Sequence, residues 1–104
     1  MKIKLGSRIV GENSEPYIIA EIGVNHECSL IKAKKMIQLA KKGGADAVKF
    51  QFYKAEKIAS IYSKAYWDTK KERETSQFNL FKKFDKFKKS DFQDLAKYCK
   101  NLKI

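Results

Sequence analysis

Three polar side chains near the ends of two apolar runs carry the chemistry that this sequence suggests. Glu21 lies in the run 17–22, and Lys49 and Gln51 lie in the run 47–52. Both runs have the length of strands, and alternate side chains of a strand face opposite sides, so Lys49 and Gln51 share a face. Glu21 and Gln51 also lie near the carboxyl ends of their strands. A carboxylate, an ammonium and an amide that converge there suit a small, polar, partly anionic substrate.

Asn25 and His26 follow the first run in a loop, where functional residues are common. Plainer alternatives stand beside each of these interpretations. Glu21 and Lys49 on neighbouring strands can form a buried ion pair that satisfies both charges without chemistry. A single loop histidine such as His26 can be an ordinary residue.

The elements that position these side chains form a βαβ unit. Ser29 is a suitable N-cap for a helix over 30–42, whose apolar residues recur at helical spacing, and Gly43-Gly44 ends it. The continuous apolar character of the strands 17–22 and 47–52 favours a parallel sheet that helices cover. The spacing therefore predicts an α/β fold.

The remaining segments predict a hairpin and a long connection. Polar and apolar residues alternate around Gly6-Ser7, a pair suited to a type II′ turn. The last predicted helix begins with Ser90 as N-cap and Gln93 three residues on, as in a capping box. The connection over 53–89 exceeds the usual two to six residues, and it contains a helix near 75–84. Its many aromatic residues favour a small local core over a ligand pocket.

Composition limits the other classes of function. The chain has 104 residues, enough for one domain, and 23 Lys+Arg against 12 Asp+Glu give a net charge of +11. A small basic module that binds phosphate groups or nucleic acid is the alternative that this charge raises. We do not expect nucleic acid as a partner, because only two basic residues are arginines and the charge is spread along the chain.

Two further expectations concern location and cysteine chemistry. No stretch approaches the roughly 18 apolar residues of a membrane span, and no signal peptide is evident, so we expect a cytoplasmic protein without membrane contact. Cys28 and Cys99 lack CxxC spacing and His26 is the one histidine. Neither a disulfide nor a zinc site is therefore expected.

The phrase Ile-Ala-Glu-Ile-Gly-Val-Asn-His at residues 19–26 resembles the opening of the barrel in the sialic acid synthase family. Further landmarks of that family follow in order and at similar spacing, at residues 33–37, 44–51, 54–56 and 84–87. The resemblance extends from about residue 9 to residue 104.

The resemblance implies an α/β fold that is the N-terminal portion of a TIM (β/α)₈ barrel with a leading β-hairpin, incomplete in this chain. It implies one partial domain over 1–104. Residues 1–16 then form the hairpin and turn, and residues 17–104 the first two βα units, with the long loop at about 53–89. A full barrel takes about 250 residues, so we expect the chain to be inactive alone.

The family condenses phosphoenolpyruvate with an N-acetylated hexose such as N-acetylmannosamine to a nine-carbon sialic acid, and it releases phosphate. The resemblance therefore implies these two substrates as partners, together with the missing remainder of the barrel or a second copy of the chain. It also implies manganese as a divalent cofactor, with ligands that match no residue of this chain. The alternative is a non-catalytic remnant that only pairs with another barrel.

The resemblance also implies roles for the candidate residues. Glu21 matches a catalytic glutamate in the sugar site, Lys49 a lysine near phosphoenolpyruvate, and Gln51 a glutamine that contacts substrate. Asn25 and His26 belong to the shared phrase and are expected to bind substrate. One departure is Cys28, which stands where the family usually has glycine and which strains the turn if φ is positive there.

Overall fold

An antiparallel hairpin opens the computed structural model, which describes residues 1–104. Its strands are β1 (Lys2–Leu5) and β2 (Arg8–Gly11). Gly6 begins the two-residue turn with a φ of 59°, which glycine adopts without steric cost. The predicted hairpin is present, and its first turn residue has the positive φ that a type II′ turn requires.

A βαβ unit follows the hairpin, with strand β3 (Ile19–Gly23), helix α1 (Leu30–Lys42) and strand β4 (Ala47–Phe50). The two strands are parallel, as predicted. The Ser29 hydroxyl accepts a hydrogen bond from the N–H of Lys32 at 3.2 Å, so it caps α1. The helix has the bounds that the sequence predicted, whereas each strand is shorter.

Asp46 joins the hairpin to the start of β3. Its carboxylate accepts a hydrogen bond from the N–H of Ile18 at 2.8 Å and forms an ion pair with Arg8. The Ile18 hydrogen bond, followed by the Arg8 contact, holds the pKa of the Asp46 carboxyl below its usual range. Because this side chain takes the N–H of Ile18, β3 begins only at Ile19.

Helix α4 (Lys89–Leu102) completes a second βα unit and packs along α1. Between them the Tyr98 hydroxyl accepts a hydrogen bond from the Gln38 amide at 2.6 Å. The apolar core lies on the side of the sheet that these two helices cover. It contains five buried residues: Ile22, Ala33, Ile37, Phe87 and Leu95.

The long connection between β4 and α4 contains two short helices, α2 (Ala55–Ile58) and α3 (Gln77–Lys83). The predicted helix near 75–84 corresponds to α3, which the Ser76 hydroxyl caps by accepting from the N–H of Asn79. Helix α2 was not predicted, because four residues carry too little periodicity to recognise. None of the four helices is long and apolar enough to cross a membrane.

The prediction that Ser90 caps the last helix is wrong. Helix α4 begins at Lys89, so Ser90 lies inside its first turn. The Asp91 carboxylate reaches back and accepts a hydrogen bond from the N–H of Lys88 at 2.7 Å. This hydrogen bond satisfies the N–H of Lys88 and favours the earlier start.

The turn between β3 and α1 has the strain that the sequence suggested. Glu27 and Cys28 have φ values of 51° and 60°, in the left-handed region. Such a conformation costs a residue with a β-carbon roughly 1–2 kcal/mol. The Cys28 side chain packs against the core at the same time, so packing and backbone strain oppose each other at this position.

Two substitutions at position 28 are expected to separate these effects. Cys28→Ala and Cys28→Gly both remove the sulfur, but only glycine relieves the left-handed strain. We expect Cys28→Gly to have a free energy of unfolding about 1 kcal/mol above that of Cys28→Ala. Urea denaturation of both variants measures the difference. Equal stabilities would show that the turn is unstrained at this residue.

Candidate functional site

The register of the parallel sheet places Glu21 directly opposite Lys49. The Lys49 Nζ donates to Glu21 Oε2 at 2.5 Å. Their strand neighbours Ile22, Val48 and Phe50 belong to or pack against the apolar core, so the charged pair lies on the opposite face. The pair is the ion pair that the alternative described, but in this chain it is not buried, because the Lys49 and Glu21 side chains are 59% and 49% exposed.

The side chain of Gln51 lies close to that of Glu21, next to the α-carbon of Gly23. The ladder is irregular between Glu21 and Gly23, and Gly23 has a φ of 58°. A β-carbon built at position 23 would lie 3.4 Å from Glu21 Oε1 and 3.6 Å from Gln51 Oε1. Glycine therefore leaves the space in which the carboxylate and the amide come together. We refer to Glu21, Lys49 and Gln51 as the polar cluster.

Asn25 is exposed and its amide is engaged by the loop. Its Nδ2 donates to the carbonyl oxygen of Ile22 at 2.9 Å, and its backbone N–H donates to the same oxygen at 3.1 Å. These bonds stabilise the turn that leaves β3. A role of Asn25 in substrate binding stays a prediction.

His26 is buried among aromatic rings, with 1% of its surface exposed. Its ring stacks on Phe87 at 4.4 Å and lies 5.8 Å from Phe50. Nδ1 accepts a hydrogen bond from the N–H of Cys28 at 3.0 Å, while Nε2 has no hydrogen-bond partner. The structure therefore places His26 on the core side of the sheet, and its predicted role in substrate binding stays a prediction.

The surroundings of His26 favour the neutral ring. Burial lowers the pKa of His26 below its usual 6.5, and the positive charge of Lys32 acts in the same direction, while the Gly23 carbonyl opposes both. The bond from Cys28 makes Nδ1 the acceptor, so the proton of the neutral ring lies on Nε2. A neutral histidine stacked on Phe87 behaves as a flat apolar group with one buried donor.

Sequence reasoning assigned no role to Asp85, which fastens the long connection beside the strand ends. This residue is only 7% exposed. Its Oδ2 accepts from the N–H of Ala55 at 3.0 Å and lies 3.5 Å from Lys82 Nζ, and its carbonyl accepts from Lys54 at 2.7 Å. The family landmarks at residues 54–56 and 84–87, which include Ala55 and Asp85, were the one sequence signal that could have indicated a role for this residue.

The contacts of Asp85 keep its carboxyl charged. Burial alone raises its pKa, but the Ala55 hydrogen bond and the charges of Lys82 and Lys54 outweigh burial, and the pKa lies below its usual range. Asp85 thereby ties the start of α2 to the end of α3. These contacts fix the position of the long connection beside the polar cluster.

The polar cluster offers one cation, one carboxylate and one amide to a ligand. Glu21 Oε2 is engaged by Lys49, whereas Oε1 faces the space above Gly23. The chain contains no group of three or more His, Cys, Asp or Glu side chains that could hold a metal ion. The residues of this chain therefore do not form a metal site by themselves, and the manganese that the resemblance implies, with ligands outside the chain, stays a prediction.

The architecture defines the class of protein. Parallel strands with helices on one face and polar groups at their carboxyl ends are the arrangement that begins a (β/α)₈ barrel. A crystal structure of N-acetylneuraminic acid (sialic acid) synthetase from Leptospira borgpetersenii, in complex with citrate, matches the whole chain with a TM-score of 0.76 and 32% identity. The chain covers 32% of that protein. The fold is the N-terminal portion of a TIM barrel, as predicted.

A family model identifies the family of the chain. The model of the NeuB family matches residues 36–104, more than half of the chain. The chain belongs to the NeuB family, and the resemblance to sialic acid synthases is confirmed.

Two curated relatives illustrate the range of named enzymes. N-acetylneuraminate-9-phosphate synthase of Homo sapiens is 35% identical over 99 residues, which cover 93% of this chain and 27% of that protein. N,N'-diacetyllegionaminic acid synthase of Legionella pneumophila is 36% identical over 74 residues, which cover 69% of this chain and 21% of that protein. The chain thus spans about a quarter of the length of these relatives.

The buried histidine predicts a pH dependence of stability. Because the folded pKa of His26 lies below 6.5, the unfolded chain binds its proton more readily. The free energy of unfolding is expected to be at its full value above about pH 6.5 and to decrease as the pH falls below it. Urea denaturation between about pH 5 and 7.5 measures this slope.

The matched variant is His26→Phe, which keeps an apolar ring and removes the only histidine. Its stability is expected to be flat over the same range. An NMR titration of His26 reads the folded pKa directly. A value at or above 6.5, or a variant that keeps the slope, would contradict the assignment.

The exposure of the Glu21–Lys49 pair predicts a small contribution to stability. Glu21→Gln and Lys49→Met are each expected to change the free energy of unfolding by less than about 1 kcal/mol, because exposed pairs are screened by water. Ile37→Ala, in the core, is the contrasting control and is expected to cost about 2–5 kcal/mol. A loss of that size in either polar variant would mean that the pair is needed for folding.

Proposed function

We propose that this chain supplies the first two βα units of the active site of a sialic acid synthase-type enzyme. The proposed reaction condenses phosphoenolpyruvate with an N-acetylated hexose, N-acetylmannosamine or a related sugar, and releases phosphate. The observation that carries the proposal is the polar cluster, in which Glu21, Lys49 and Gln51 meet at the carboxyl ends of parallel barrel strands. Membership of the NeuB family supports it.

The proposed role of Lys49 is to bind phosphoenolpyruvate. Its ammonium can donate charge-assisted hydrogen bonds to the carboxylate or phosphate of that substrate. The ammonium pairs with Glu21 at 2.5 Å. An arriving anion therefore competes for a cation that is already held in position by the sheet.

The proposed roles of Glu21 and Gln51 concern the sugar. Glu21 Oε1, which faces the space above Gly23, can accept hydrogen bonds from sugar hydroxyls, and the Gln51 amide can donate or accept there. Glu21 is the proposed catalytic residue, because a fixed carboxylate can stabilise charge that develops at the carbon under attack.

The chain spans about a quarter of its relatives, so the remaining barrel strands must complete the site. We propose that they come from the same polypeptide, from a separate polypeptide or from a second copy. The proposed location is the cytoplasm, and the two free cysteines suit its reducing conditions.

A phosphate-release assay tests the proposal. Residues 1–104 replace the equivalent segment of the Leptospira synthetase, and the hybrid is supplied with phosphoenolpyruvate, N-acetylmannosamine and manganese. We expect phosphate release that depends on the sugar. A folded hybrid that releases none would contradict the proposal.

Residue variants in the active hybrid test the assignments. We expect Lys49→Ala to raise the KM for phosphoenolpyruvate about 10-fold or more, because a charge-assisted hydrogen bond is lost. Glu21→Ala is expected to lower kcat by about two orders of magnitude. Lys35→Ala, an exposed lysine on α1, is the control and should leave both constants unchanged. Unaltered kinetics in the first two variants would refute the site.

A further inference from the structure

A cavity of about 520 Å³ lies at the opposite end of the sheet from the polar cluster. It opens between the hairpin turn, the segments that lead into β3 and β4, and the carboxyl ends of α1 and α4. Asp46 lines this cavity and Gln51 belongs to the polar cluster, and five residues at the rise of a strand separate them by roughly 16 Å. We refer to the cavity as the basic cavity, because four of its twelve lining residues are cationic: Arg8, Lys41, Lys100 and Lys103.

The basic cavity carries an excess of positive charge. Its one acidic side chain, Asp46, is paired with Arg8, so the three lysines supply the excess. A free carboxylate at Ile104, which also lines the cavity, would remove one unit of this charge. Lysines near helix carboxyl ends also offset the helix dipoles, but two such ends carry only about one negative charge between them. The cavity therefore remains positive after both corrections.

Two of the four cations are held in position by the protein. The Arg8 guanidinium is bound by Asp46, and it lies 5.6 Å from the centre of the Tyr17 ring. Lys41 Nζ donates to the carbonyl oxygen of Lys103 at 2.9 Å. Each cation keeps further N–H donors for a ligand, since a guanidinium has five and an ammonium has three.

The ammonium groups of Lys100 and Lys103 have no partner within the chain. Both side chains are exposed, and neither forms an ion pair. Lys100 lies in the last turn of α4 and Lys103 is its C-cap, so one helix end supplies both charges. Ser7 and Tyr17 add hydroxyls to the lining, and a hydroxyl can donate to an anion.

A compact ligand with several anionic groups suits this arrangement. Lysine binds phosphate as a point charge, and arginine can bind it with two parallel N–H bonds. The cations come from the hairpin, α1 and α4, so linked phosphate groups can contact more of them than one phosphate can. Nucleic acid suits the cavity less well, because its charges follow an extended backbone whereas these cations surround a confined space.

We propose that the basic cavity binds a compound with two or more linked phosphate groups. The ligand lies between the hairpin and the ends of α1 and α4, and it joins them by charge. This site is separate from the polar cluster, and its ligand does not take part in the proposed reaction. Because the ligand binds the folded chain, it also stabilises that chain by mass action.

Calorimetric titration of the full chain with tripolyphosphate at low ionic strength tests the proposal. We expect saturable binding of one ligand per chain, and binding of inorganic phosphate at least about tenfold weaker. In an NMR titration the backbone amides of Gly6, Ser7, Gly44 and Ala45, which line the cavity, are expected to shift with the same affinity. Unsaturable binding, or shifts spread over the whole surface, would overturn the proposal.

Two matched pairs of substitutions separate a site from general attraction to a chain of net charge +11. Lys100→Gln with Lys103→Gln is expected to weaken tripolyphosphate binding about tenfold or more, because two charge-assisted contacts are lost. Lys89→Gln with Lys97→Gln removes the same charge from the same helix outside the cavity. This control is expected to change the affinity less than about twofold. Equal losses in the two pairs would contradict the proposal.

ATP identifies the source of the phosphate chain, because it carries the same triphosphate as the inorganic probe. Equal affinities would assign the site to the phosphate chain alone. Tighter binding of ATP that Tyr17→Leu abolishes would assign it to a nucleotide whose base stacks on that ring. Both results support the site. A single-stranded oligonucleotide that binds more tightly than either, with equal losses in the two lysine pairs, would replace it with a nucleic-acid surface.

Discussion

The parallel pairing of β3 with β4 is the constraint on which the candidate site depends. One register places Glu21 opposite Lys49 and directs Ile22 and Phe50 to the core. A slip of one residue would exchange the two faces and bury the charges. The register is secured at the start of β3 by Asp46, whose carboxylate binds the N–H of Ile18, and along one face by the packing of α1.

The same constraint explains why the polar cluster remains accessible. The helices cover only the face of the sheet that carries the core, so Ile19 is 55% exposed on the other face along with the charged pair. In a complete barrel that face lines the interior. The two charges would then lie in a less polar environment, in which their attraction and the penalty for leaving either one unpaired both increase.

The sequence allowed most of the local structure to be predicted, because its signals are local. Ser29 and the glycines after Lys42 delimit α1 within a few residues, and strand alternation is enough to place Glu21 and Lys49 on one face. The start of α4 was mistaken, since Ser90 and Asp91 both suit a helix start and only the contact of Asp91 with Lys88 decides between them.

The features that escaped prediction depend on residues far apart in the chain. Asp85 caps a helix 30 residues earlier, and no spacing rule connects the two. The burial of His26 likewise depends on Phe87, which the long connection brings back against the sheet. Pattern alone could not say that the Glu21–Lys49 pair is exposed.

The long connection therefore has a structural role. Its end near α4 supplies Phe87 to the core and shields His26, whose buried Nε2 has no partner. Its middle is joined to the start of α2 by the hydrogen bond between Asp85 and Ala55, and to the segment just after β4 by the hydrogen bond from Tyr53 to Phe81. Phe52, just after β4 and next to Gln51, is 59% exposed, as is expected of an apolar residue at the unpaired outer edge of a two-stranded portion of a barrel.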